Sequence, residues 1–298
     1  MDEKTPKGKP DEARPAWLRK RVRTNACAER VEGLIAQLGL ATVCDGAHCP
    51  NRPECFAKGT ATFMILGDRC TRNCRFCAVA HGGVSPVRAE EPEALAQAAA
   101  RLKLRHVVVT SVTRDDLPDG GAGHFAATIR AIRRALPEAV IEVLTPDFQG
   151  DMAAVETVLA ATPDVFNHNV ETVPRLYAAV RPQANYQRSL TVLAGAKDIA
   201  RRTGLRLYTK SGLMVGLGES REEIAQVLAD LRSAGCDIVT MGQYLAPSKE
   251  HFPVARFVEP AEFDELAAQA RAVGFAAVAA GPFVRSSYQA EEVFPGKR

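Results

Sequence analysis

Two consecutive stretches dominate this sequence: the apolar run Thr60-Ala-Thr-Phe-Met-Ile-Leu-Gly67 and the motif Cys70-Thr-Arg-Asn-Cys74-Arg-Phe-Cys77. The C-x3-C-x2-C spacing lets a short loop direct three thiolates at one point, and the motif contains no fourth cysteine. Structural zinc sites are usually closed by four protein ligands, whereas a [4Fe–4S] cluster on three cysteines leaves one iron open. The motif therefore predicts an iron–sulfur cluster with an open iron. A zinc site completed by a distant Cys or His is the alternative.

Apolar runs alternate with amphipathic segments over the rest of the chain. Strands are predicted at 63–66, 106–111, 140–144, 165–171, 205–215 and 237–245, and helices near 92–103, 123–136, 152–161, 186–203, 220–234 and 261–273. Strands that alternate with helices of about 10–15 residues indicate βαβ units and a parallel sheet. Six such units suffice for a partial barrel, and an open doubly wound sheet is the alternative. The cysteine motif follows the first predicted strand, at the end where parallel α/β folds place their active sites.

A second cysteine array, Cys44-Asp-Gly-Ala-His-Cys49-Pro-Asn-Arg-Pro-Glu-Cys55, follows a short helix predicted at 31–40. Its C-x4-C-x5-C spacing has no hydrophobic periodicity, so we predict a loop wrapped around a metal site. Six of the eight cysteines fall in the two groups, which is unlike a disulfide framework and indicates reduced, metal-binding thiolates. His48 is either a further ligand or a solvent-facing residue. Cys27 and Cys236 are predicted to be ordinary thiols.

Composition and charge narrow the class of protein. The chain has 298 residues, of which 46% are hydrophobic, and a formal net charge of +3. This charge is too small to indicate binding to nucleic acid or to an anionic membrane, and no apolar run reaches the ~20 residues that span a bilayer. Residues 1–25 mix both signs of charge with prolines and lack the apolar centre of a secretory signal. We expect a flexible N-terminal arm on a cytoplasmic protein, with no nucleic-acid or membrane partner.

Polar residues cluster where predicted strands end, and again in the tail. They follow strands at 111–116, 167–172 and 243–244, and at 209–212 they interrupt the fifth strand. Each could be a helix cap or turn residue, but together they favour a binding site at the mouth of the barrel. The tail contains Arg285-Ser286-Ser287-Tyr288. A second cluster on the three cysteines of the 44–55 array would need a fourth ligand, and a serine alkoxide would hold iron less firmly than a thiolate.

The C-x3-C-x2-C motif, with Phe76 before its last cysteine, resembles the signature of the radical S-adenosylmethionine (SAM) enzymes. With the 44–55 array and the Arg-Ser-Ser-Tyr tail, the chain resembles the lipoyl synthase family, and further matching segments lie at 113–117, 167–172, 181–186, 210–219 and 242–245. This resemblance implies an α/β fold, a partial (β/α)6 TIM-type barrel of the radical SAM type with N-terminal and C-terminal extensions. The implied division is a flexible arm at 1–25, an extension with an auxiliary cluster loop at 26–59, the barrel at 60–280 and a tail with a serine ligand at 281–298.

The resemblance also implies the cofactors, which are two [4Fe–4S] clusters and SAM. The cluster that cleaves SAM would be held by Cys70, Cys74 and Cys77. The auxiliary cluster would be held by Cys44, Cys49, Cys55 and Ser287, with Ser286 as the neighbouring alternative to the serine. The nucleoside or amino acid part of SAM would be contacted by Asn169, Glu171 and Arg181.

The implied activity is that of a sulfurtransferase acting on an octanoyl-lysine of a lipoyl carrier protein or domain. Deoxyadenosyl radicals would abstract hydrogen at C6 and then C8, and the auxiliary cluster would supply the sulfur and be consumed. Ser287 would be catalytic because its weaker bond lets iron leave. An electron donor such as a ferredoxin or flavodoxin, and an iron–sulfur cluster assembly or carrier protein, would be partners. The rival hypotheses are a radical enzyme whose second cluster only relays electrons, and a non-catalytic scaffold with two zinc sites.

Overall fold

The computed structural model describes residues 14–19 and 25–296, and all structural statements below concern these ranges. In chain order the elements are a 3₁₀ turn Ala16–Leu18, α1 Ala26–Gln37, β1 Ala41–Thr42, α2 Val43–Gly46, α3 Arg52–Ala57, β2 Thr62–Ile65, β3 Arg69–Cys70, β4 Ala80–His81, α4 Glu91–Arg101, β5 His106–Ser111, α5 Ala122–Ala135, β6 Val140–Leu144, a 3₁₀ turn Phe148–Gly150, α6 Met152–Leu159, β7 Val165–Asn167, a 3₁₀ turn Pro174–Leu176, α7 Tyr177–Val180, α8 Tyr186–Thr203, β8 Tyr208–Val215, α9 Arg221–Ser233, β9 Ile238–Gln243, α10 Pro260–Val273, β10 Ala277–Gly281 and α11 Ala290–Val293.

The main sheet runs in the order β1-β2-β5-β6-β7-β8-β9-β10, and β3 and β4 form a separate two-stranded sheet. β1 pairs antiparallel with β2, and the other neighbouring pairs of the main sheet are parallel. Six parallel strands, β2 and β5 to β9, are each followed by a helix of the outer layer, which confirms the predicted partial (β/α)6 barrel. A doubly wound sheet reverses its strand order at a switch point, and this order does not reverse. The apolar run after α10 adds a seventh parallel strand, β10.

Buried strands and capped helices account for this arrangement. Every residue of β2 and of β9 is buried, as expected for parallel strands covered by helices on one face and by the barrel interior on the other. Ser220 and Glu223 form a capping box at the start of α9. α10 ends at Gly274, whose left-handed φ of 99° suits glycine. Among the described residues, no helix is both long and apolar enough to cross a membrane.

The 44–55 array is the main structural prediction that is wrong, because it forms two short helices rather than a loop. α2 begins where the Thr42 side chain accepts a hydrogen bond from the backbone N–H of Asp45. Pro53 lies in the first turn of α3, where its missing N–H costs nothing. Both helices are too short to show hydrophobic periodicity. The helix predicted at 31–40 is α1, which begins earlier because Asn25 caps it.

Two predictions about the strands also differ from the structure. The strand predicted at 165–171 ends at Asn167, and Glu171 has a left-handed φ of 64° that a strand cannot accommodate. Residues 209–212 do not interrupt the fifth predicted strand, because they lie inside β8 and are buried. Most of the predicted flexible arm, residues 1–13 and 20–24, lies outside the described residues.

The tail after β10 crosses the barrel interior. The carbonyl oxygen of Val284 lies so close to Gly242 in β9 that a Cβ at Gly242 would overlap it. Farther along, the ring of Phe294 packs edge-on against His106 and Tyr208, with centroids 5.8 and 5.3 Å away. His106 and Tyr208 are the first residues of β5 and β8. The tail therefore runs from the carboxyl end of the barrel to its amino end.

Candidate functional site

A cavity of about 760 Å³ opens inside the barrel, and both cysteine groups line it. Its volume is within the ~300–1,000 Å³ typical of small-molecule sites. The two isolated cysteines, Cys27 and Cys236, are not part of its lining. All of the residues predicted as ligands or contacts line it, and they are Cys44, Cys49, Cys55, Cys70, Cys74, Cys77, Asn169, Glu171, Arg181, Ser286 and Ser287, with His48 beside them.

Backbone hydrogen bonds fix the loop 70–77 at the mouth of the barrel. The N–H of Thr71 donates to the carbonyl of Thr113 over 3.0 Å, directly after β5. The N–H of Arg75 donates to the carbonyl of Val180 over 2.8 Å. His251 Nε2 donates to the carbonyl of Cys77 over 3.1 Å. Three separate connections of the barrel thus position the cysteine loop.

A buried ion network adds a side-chain anchor to the same loop. Arg72, whose side chain is 5% exposed, donates to both carboxylate oxygens of Asp115 over 2.7 and 2.9 Å. It also donates to Asp147 over 2.6 Å, and Arg188 Nε donates to the other oxygen of Asp147 over 2.7 Å. Burial opposes ionisation of Asp147, but the hydrogen bond and charge of Arg72, with the charges of His168 and Arg188, hold its pKa far below the ordinary value. Asp147 therefore connects the cysteine loop to α8.

The thiols of the 70–77 loop are half-buried, and that of Cys70 receives two backbone hydrogen bonds. Cys70 Sγ accepts from the N–H of Arg72 over 3.4 Å and from that of Thr113 over 3.3 Å. Burial raises the pKa of Cys77 to about 12, opposed by a hydrogen bond from the N–H of Val79. Burial likewise raises the pKa of Cys74. Such thiols become thiolates only with a compensating cation, and N–H donors to sulfur are what a thiolate ligand needs.

In the 44–55 array, burial also raises the pKa of a thiol. Cys44 lies in α2 and Cys55 in α3, so the short helices bring them to the barrel edge beside β2. Burial raises the pKa of Cys44 to about 12, opposed by a hydrogen bond from the backbone N–H of Thr62 and reinforced by the nearby Cys49, Cys55 and Asp45. All three cysteines of this array line the same cavity.

The donor sets fit clusters better than single ions. Across residues 14–19 and 25–296, no group of three or more His, Cys, Asp or Glu side chains is arranged to hold one metal ion. The thiolates of a [4Fe–4S] site bind different irons of the same cluster, so they need to face a common space rather than surround one ion. Cys44 is buried and the other five thiols are half-buried, and all six line one cavity.

The two tail serines have different surroundings. Ser286 Oγ accepts from Asn167 Nδ2 over 2.8 Å and donates to Asn169 Oδ1 over 3.1 Å. Ser287 Oγ accepts from Thr62 Oγ1 over 2.8 Å. The Ser286 hydroxyl is therefore used as both donor and acceptor, as a protonated hydroxyl would be. The Ser287 oxygen lies next to the residue whose N–H binds Cys44.

Asn169, Glu171 and Arg181 form a polar group next to the 70–77 loop. Arg181 Nη1 donates to the carbonyls of Asn169 and Val170 over 2.9 and 3.0 Å, while its buried Nε has no hydrogen-bond partner among the described residues. Asn169 Nδ2 donates to Glu171 over 3.1 Å. Burial raises the pKa of Glu171, opposed by the charge of Arg181 and the hydrogen bond of Asn169. The charge of Arg181 also favours the thiolate of Cys74.

Thr62 as a contact of Ser287 and Asp147 as an anchor of the cysteine loop were not predicted from the sequence. Thr62 lies inside an apolar strand run, and Asp147 follows a strand with no motif around it. The partners of each are far away in sequence, so no local pattern could indicate them. A threonine in an otherwise apolar run is the only available signal for Thr62.

Comparisons with known proteins agree on the fold. The Radical SAM superfamily model matches residues 64–231. Among solved structures, HydG, a maturase of the [FeFe]-hydrogenase, is similar with a TM-score of 0.58 and 14% identity, covering 84% of this chain and 66% of that one. Methylornithine synthase is similar with a TM-score of 0.52 and 15% identity, covering 78% and 71%. Identities this low show the fold alone.

Sequence relatives are much closer. Lipoyl synthase of Methylococcus capsulatus is 56% identical over 280 residues, which cover 94% of this chain and 86% of the relative. Lipoyl synthase of Desulfotalea psychrophila is 54% identical over 281 residues, which cover 94% and 93%. The chain therefore belongs to the lipoyl synthase family of the radical SAM superfamily.

Proposed function

We propose that this chain is a lipoyl synthase, a sulfurtransferase that inserts two sulfur atoms at C6 and C8 of an octanoyl-lysine on a lipoyl carrier protein or domain. A [4Fe–4S] cluster with SAM supplies hydrogen abstraction from unactivated carbon when bound, and an auxiliary [4Fe–4S] cluster supplies the sulfur. Side-chain acids and bases cannot attack such C–H bonds, so the protein contributes binding, orientation and electrostatics. No protein general base is assigned.

The observation that carries the proposal is that both cysteine triads and Ser287 line one cavity. A substrate carbon activated at one site must meet sulfur from the other before it reacts with anything else. Sites that face a common space inside a barrel satisfy this requirement, whereas separate surface sites would not. Cys70, Cys74 and Cys77 are the ligands proposed for the first cluster. Cys44, Cys49, Cys55 and Ser287 are those proposed for the auxiliary one.

Asn169, Glu171 and Arg181 are the contacts that we propose for SAM. The half-buried carboxylate of Glu171 suits an ammonium group, and the Arg181 guanidinium suits a carboxylate. The unpartnered Nε of Arg181 supports this role, because a buried N–H without a partner is costly unless a ligand supplies one. Their position next to Cys74, whose thiolate the charge of Arg181 favours, also fits an amino acid held at the open iron.

Anaerobic turnover tests the proposal directly. Iron-reconstituted protein is incubated with SAM, a reductant and an octanoyl-lysine peptide, and the products are measured by mass spectrometry. We expect the peptide to gain two sulfurs with formation of 5′-deoxyadenosine. Deoxyadenosine without sulfur insertion would contradict the proposed substrate, and neither product from protein that holds two clusters would contradict the radical mechanism.

Cysteine variants assign the two clusters. Cys74→Ala should abolish deoxyadenosine formation. Cys49→Ala should preserve deoxyadenosine formation and abolish sulfur insertion. Cys27→Ser is the matched control, since Cys27 does not line the cavity, and it should leave both products unchanged.

We further propose that the serine ligand makes the auxiliary cluster labile enough to give up its sulfur. Ser287→Cys would hold the iron more firmly and should reduce sulfur insertion while deoxyadenosine formation continues. Full sulfur insertion by Ser287→Cys would count against a role for lability. The electron donor, such as a ferredoxin or flavodoxin, and a cluster assembly or carrier protein follow from the chemistry, because the reaction consumes both electrons and a cluster.

A further inference from the structure

Thr62, the first residue of β2, contacts both halves of the proposed auxiliary site. Its backbone N–H hydrogen-bonds to the thiol of Cys44. Its hydroxyl donates to Ser287 Oγ over 2.8 Å, across 225 positions of sequence. The residue is 6% exposed. One buried threonine therefore contacts a proposed ligand from the N-terminal extension and another from the tail.

The Thr62–Ser287 hydrogen bond is compatible with the chemistry of a serine ligand. A serine that binds iron as an alkoxide has lost its proton, so its oxygen can only accept hydrogen bonds. Hydrogen bonds to an ionised acceptor are roughly twice as strong as those between neutral groups. Either hydroxyl of a serine–threonine pair can donate, so Thr62 can donate to Ser287 over the same 2.8 Å once Ser287 is ionised. Ser286, by contrast, donates to Asn169 and would have to give up that bond.

The backbone of the tail is held without this hydrogen bond. Before Ser287, Asn51 Nδ2 donates to the carbonyl of Phe283 over 2.7 Å. After it, the Tyr288 hydroxyl donates to Glu54 over 2.9 Å. Removing the Thr62 hydroxyl should therefore leave the tail in place and affect the oxygen of Ser287 alone.

We propose that Thr62 is a positioning residue for the auxiliary site, whose hydroxyl orients Ser287 Oγ toward the three thiols and stabilises it as an iron ligand. The inference rests on the proposed function, and it adds a residue that lies in neither cysteine group nor in the tail. Thr62 also ties the serine to Cys44 through a single rigid strand, so the two ligands keep a fixed spacing.

The experiment isolates the auxiliary site in the full-length chain. Cys70, Cys74 and Cys77 are replaced by Ala, so that only the auxiliary cluster assembles. Thr62→Val, Thr62→Ser and Ser287→Ala are compared in this parent. The readouts are the rate of iron release to a ferrous chelator, the electron paramagnetic resonance (EPR) spectrum of the reduced cluster, and hydrogen exchange of the 283–289 peptide in the iron-free protein.

Thr62→Val keeps the bulk without the hydroxyl, and Thr62→Ser keeps the hydroxyl with less bulk. We expect Thr62→Val to release iron about tenfold faster than the parent, equivalent to ~1.4 kcal/mol, and Thr62→Ser to stay within about twofold. Thr62→Val should change the EPR spectrum toward that of Ser287→Ala, and adding it to Ser287→Ala should have no further effect. Exchange of the 283–289 peptide should be unchanged. If valine is not tolerated, Thr62→Ala against Thr62→Ser gives the same comparison.

The outcomes that overturn the inference are distinct from those that overturn the proposed function. If Thr62→Val matches the parent while Ser287→Ala releases iron faster, Thr62 has no positioning role and Ser287 remains a ligand. If Thr62→Val and Thr62→Ser release iron equally fast, the effect is one of packing and the inference fails. If Ser287→Ala matches the parent, or no four-iron cluster assembles, the proposed auxiliary site is wrong and the role of Thr62 with it.

Discussion

Replacing Asp147 with Asn should loosen the cysteine loop 70–77, because Asp147 is the buried charge that joins Arg72 to Arg188. The Asp147 side chain is fully buried, and that of Arg72 is 5% exposed. The two arginines donate to different oxygens of the carboxylate, at 2.6 and 2.7 Å. An Asn side chain offers one acceptor oxygen and points an N–H₂ group at the other arginine.

The expected loss of stability depends on the hydrogen bonds that Arg72 keeps. Removing one partner of a buried ion pair costs about 3–5 kcal/mol, since the other charge stays buried. Arg72 keeps its two hydrogen bonds to Asp115, at 2.7 and 2.9 Å, so we expect the lower end of that range. In a chain of this size, ~3 kcal/mol corresponds to a fall in melting temperature of about 6 °C.

Calorimetry of the iron-free protein measures this change. Asp198→Asn is the control, because Asp198 pairs with Arg201 in α8 and the two side chains are 62% and 74% exposed. An exposed pair of this kind is worth about 0–1 kcal/mol. A variant with Cys44, Cys49 and Cys55 replaced by Ala then reports the iron bound by the loop alone, which Asp147→Asn should reduce.

An Asp147→Asn protein that melts at the same temperature as the Asp198→Asn control and binds a full cluster at the loop would contradict this prediction. That result would mean that backbone hydrogen bonds to Thr71, Arg75 and Cys77 suffice to hold the loop.

Three further predictions follow from buried groups elsewhere in the barrel. Burial, aided by the charge of Arg181, lowers the pKa of His168 from 6.5 to about 4. The stability that the neutral His168 contributes is therefore complete above pH 6.5 and is lost as the pH falls toward 4. Between pH 7 and pH 5 the free energy of unfolding should fall by about 2 kcal/mol. His168→Gln should make the free energy of unfolding in urea less dependent on pH. Lys210→Met should destabilise the protein by about 3–5 kcal/mol, because Glu142 stays buried without its 2.8 Å ion pair. Adding Glu142→Gln should recover part of the lost stability in the same assay. Gly242→Ala should displace the tail at a cost of about 1–3 kcal/mol and reduce the iron bound at the auxiliary site. Its register partner Gly281 is the control, because an added Cβ there makes only an ordinary 3.4 Å contact. Iron analysis should therefore show a loss for Gly242→Ala and none for Gly281→Ala.

Periodicity was sufficient to predict the alternating strands and helices, but not to choose the barrel. The strands after residue 60 are apolar runs, and the helices between them carry an apolar face, so each element has a local signal that tertiary packing reinforces. Right-handed crossovers and neighbouring sequential strands are common to a partial barrel and to a doubly wound sheet, so the choice of the barrel rested on the resemblance to the radical SAM enzymes. The cysteine motif was expected at the carboxyl end of the first strand because it directly follows that apolar run.

Contacts between distant segments had no such signal. The two short helices of the 44–55 array depend on the Thr42 cap and on Pro53 in the first turn of α3 rather than on an apolar face. The Thr62–Ser287 hydrogen bond joins positions 225 residues apart, and the Arg72–Asp147 pair joins positions 75 apart. Such pairs form only after the barrel has brought strand ends together, so sequence patterns within a window of a few turns cannot reveal them.

The open barrel explains why the tail, rather than a nearer segment, carries the proposed serine ligand. In the part of the chain that the structure describes, the main sheet has β1 and β10 at its edges, so the chain leaves β10 opposite the extension that holds Cys44 and Cys55. An open sheet edge and an unfilled interior are both unfavourable, and the tail that crosses the interior relieves them through Val284, Ser286 and Phe294. That path requires the tail to pass α3 and β2, where Ser287 meets Thr62. The segment that completes the packing of the barrel thus brings the proposed oxygen ligand to the cysteines without using any residue of their own array.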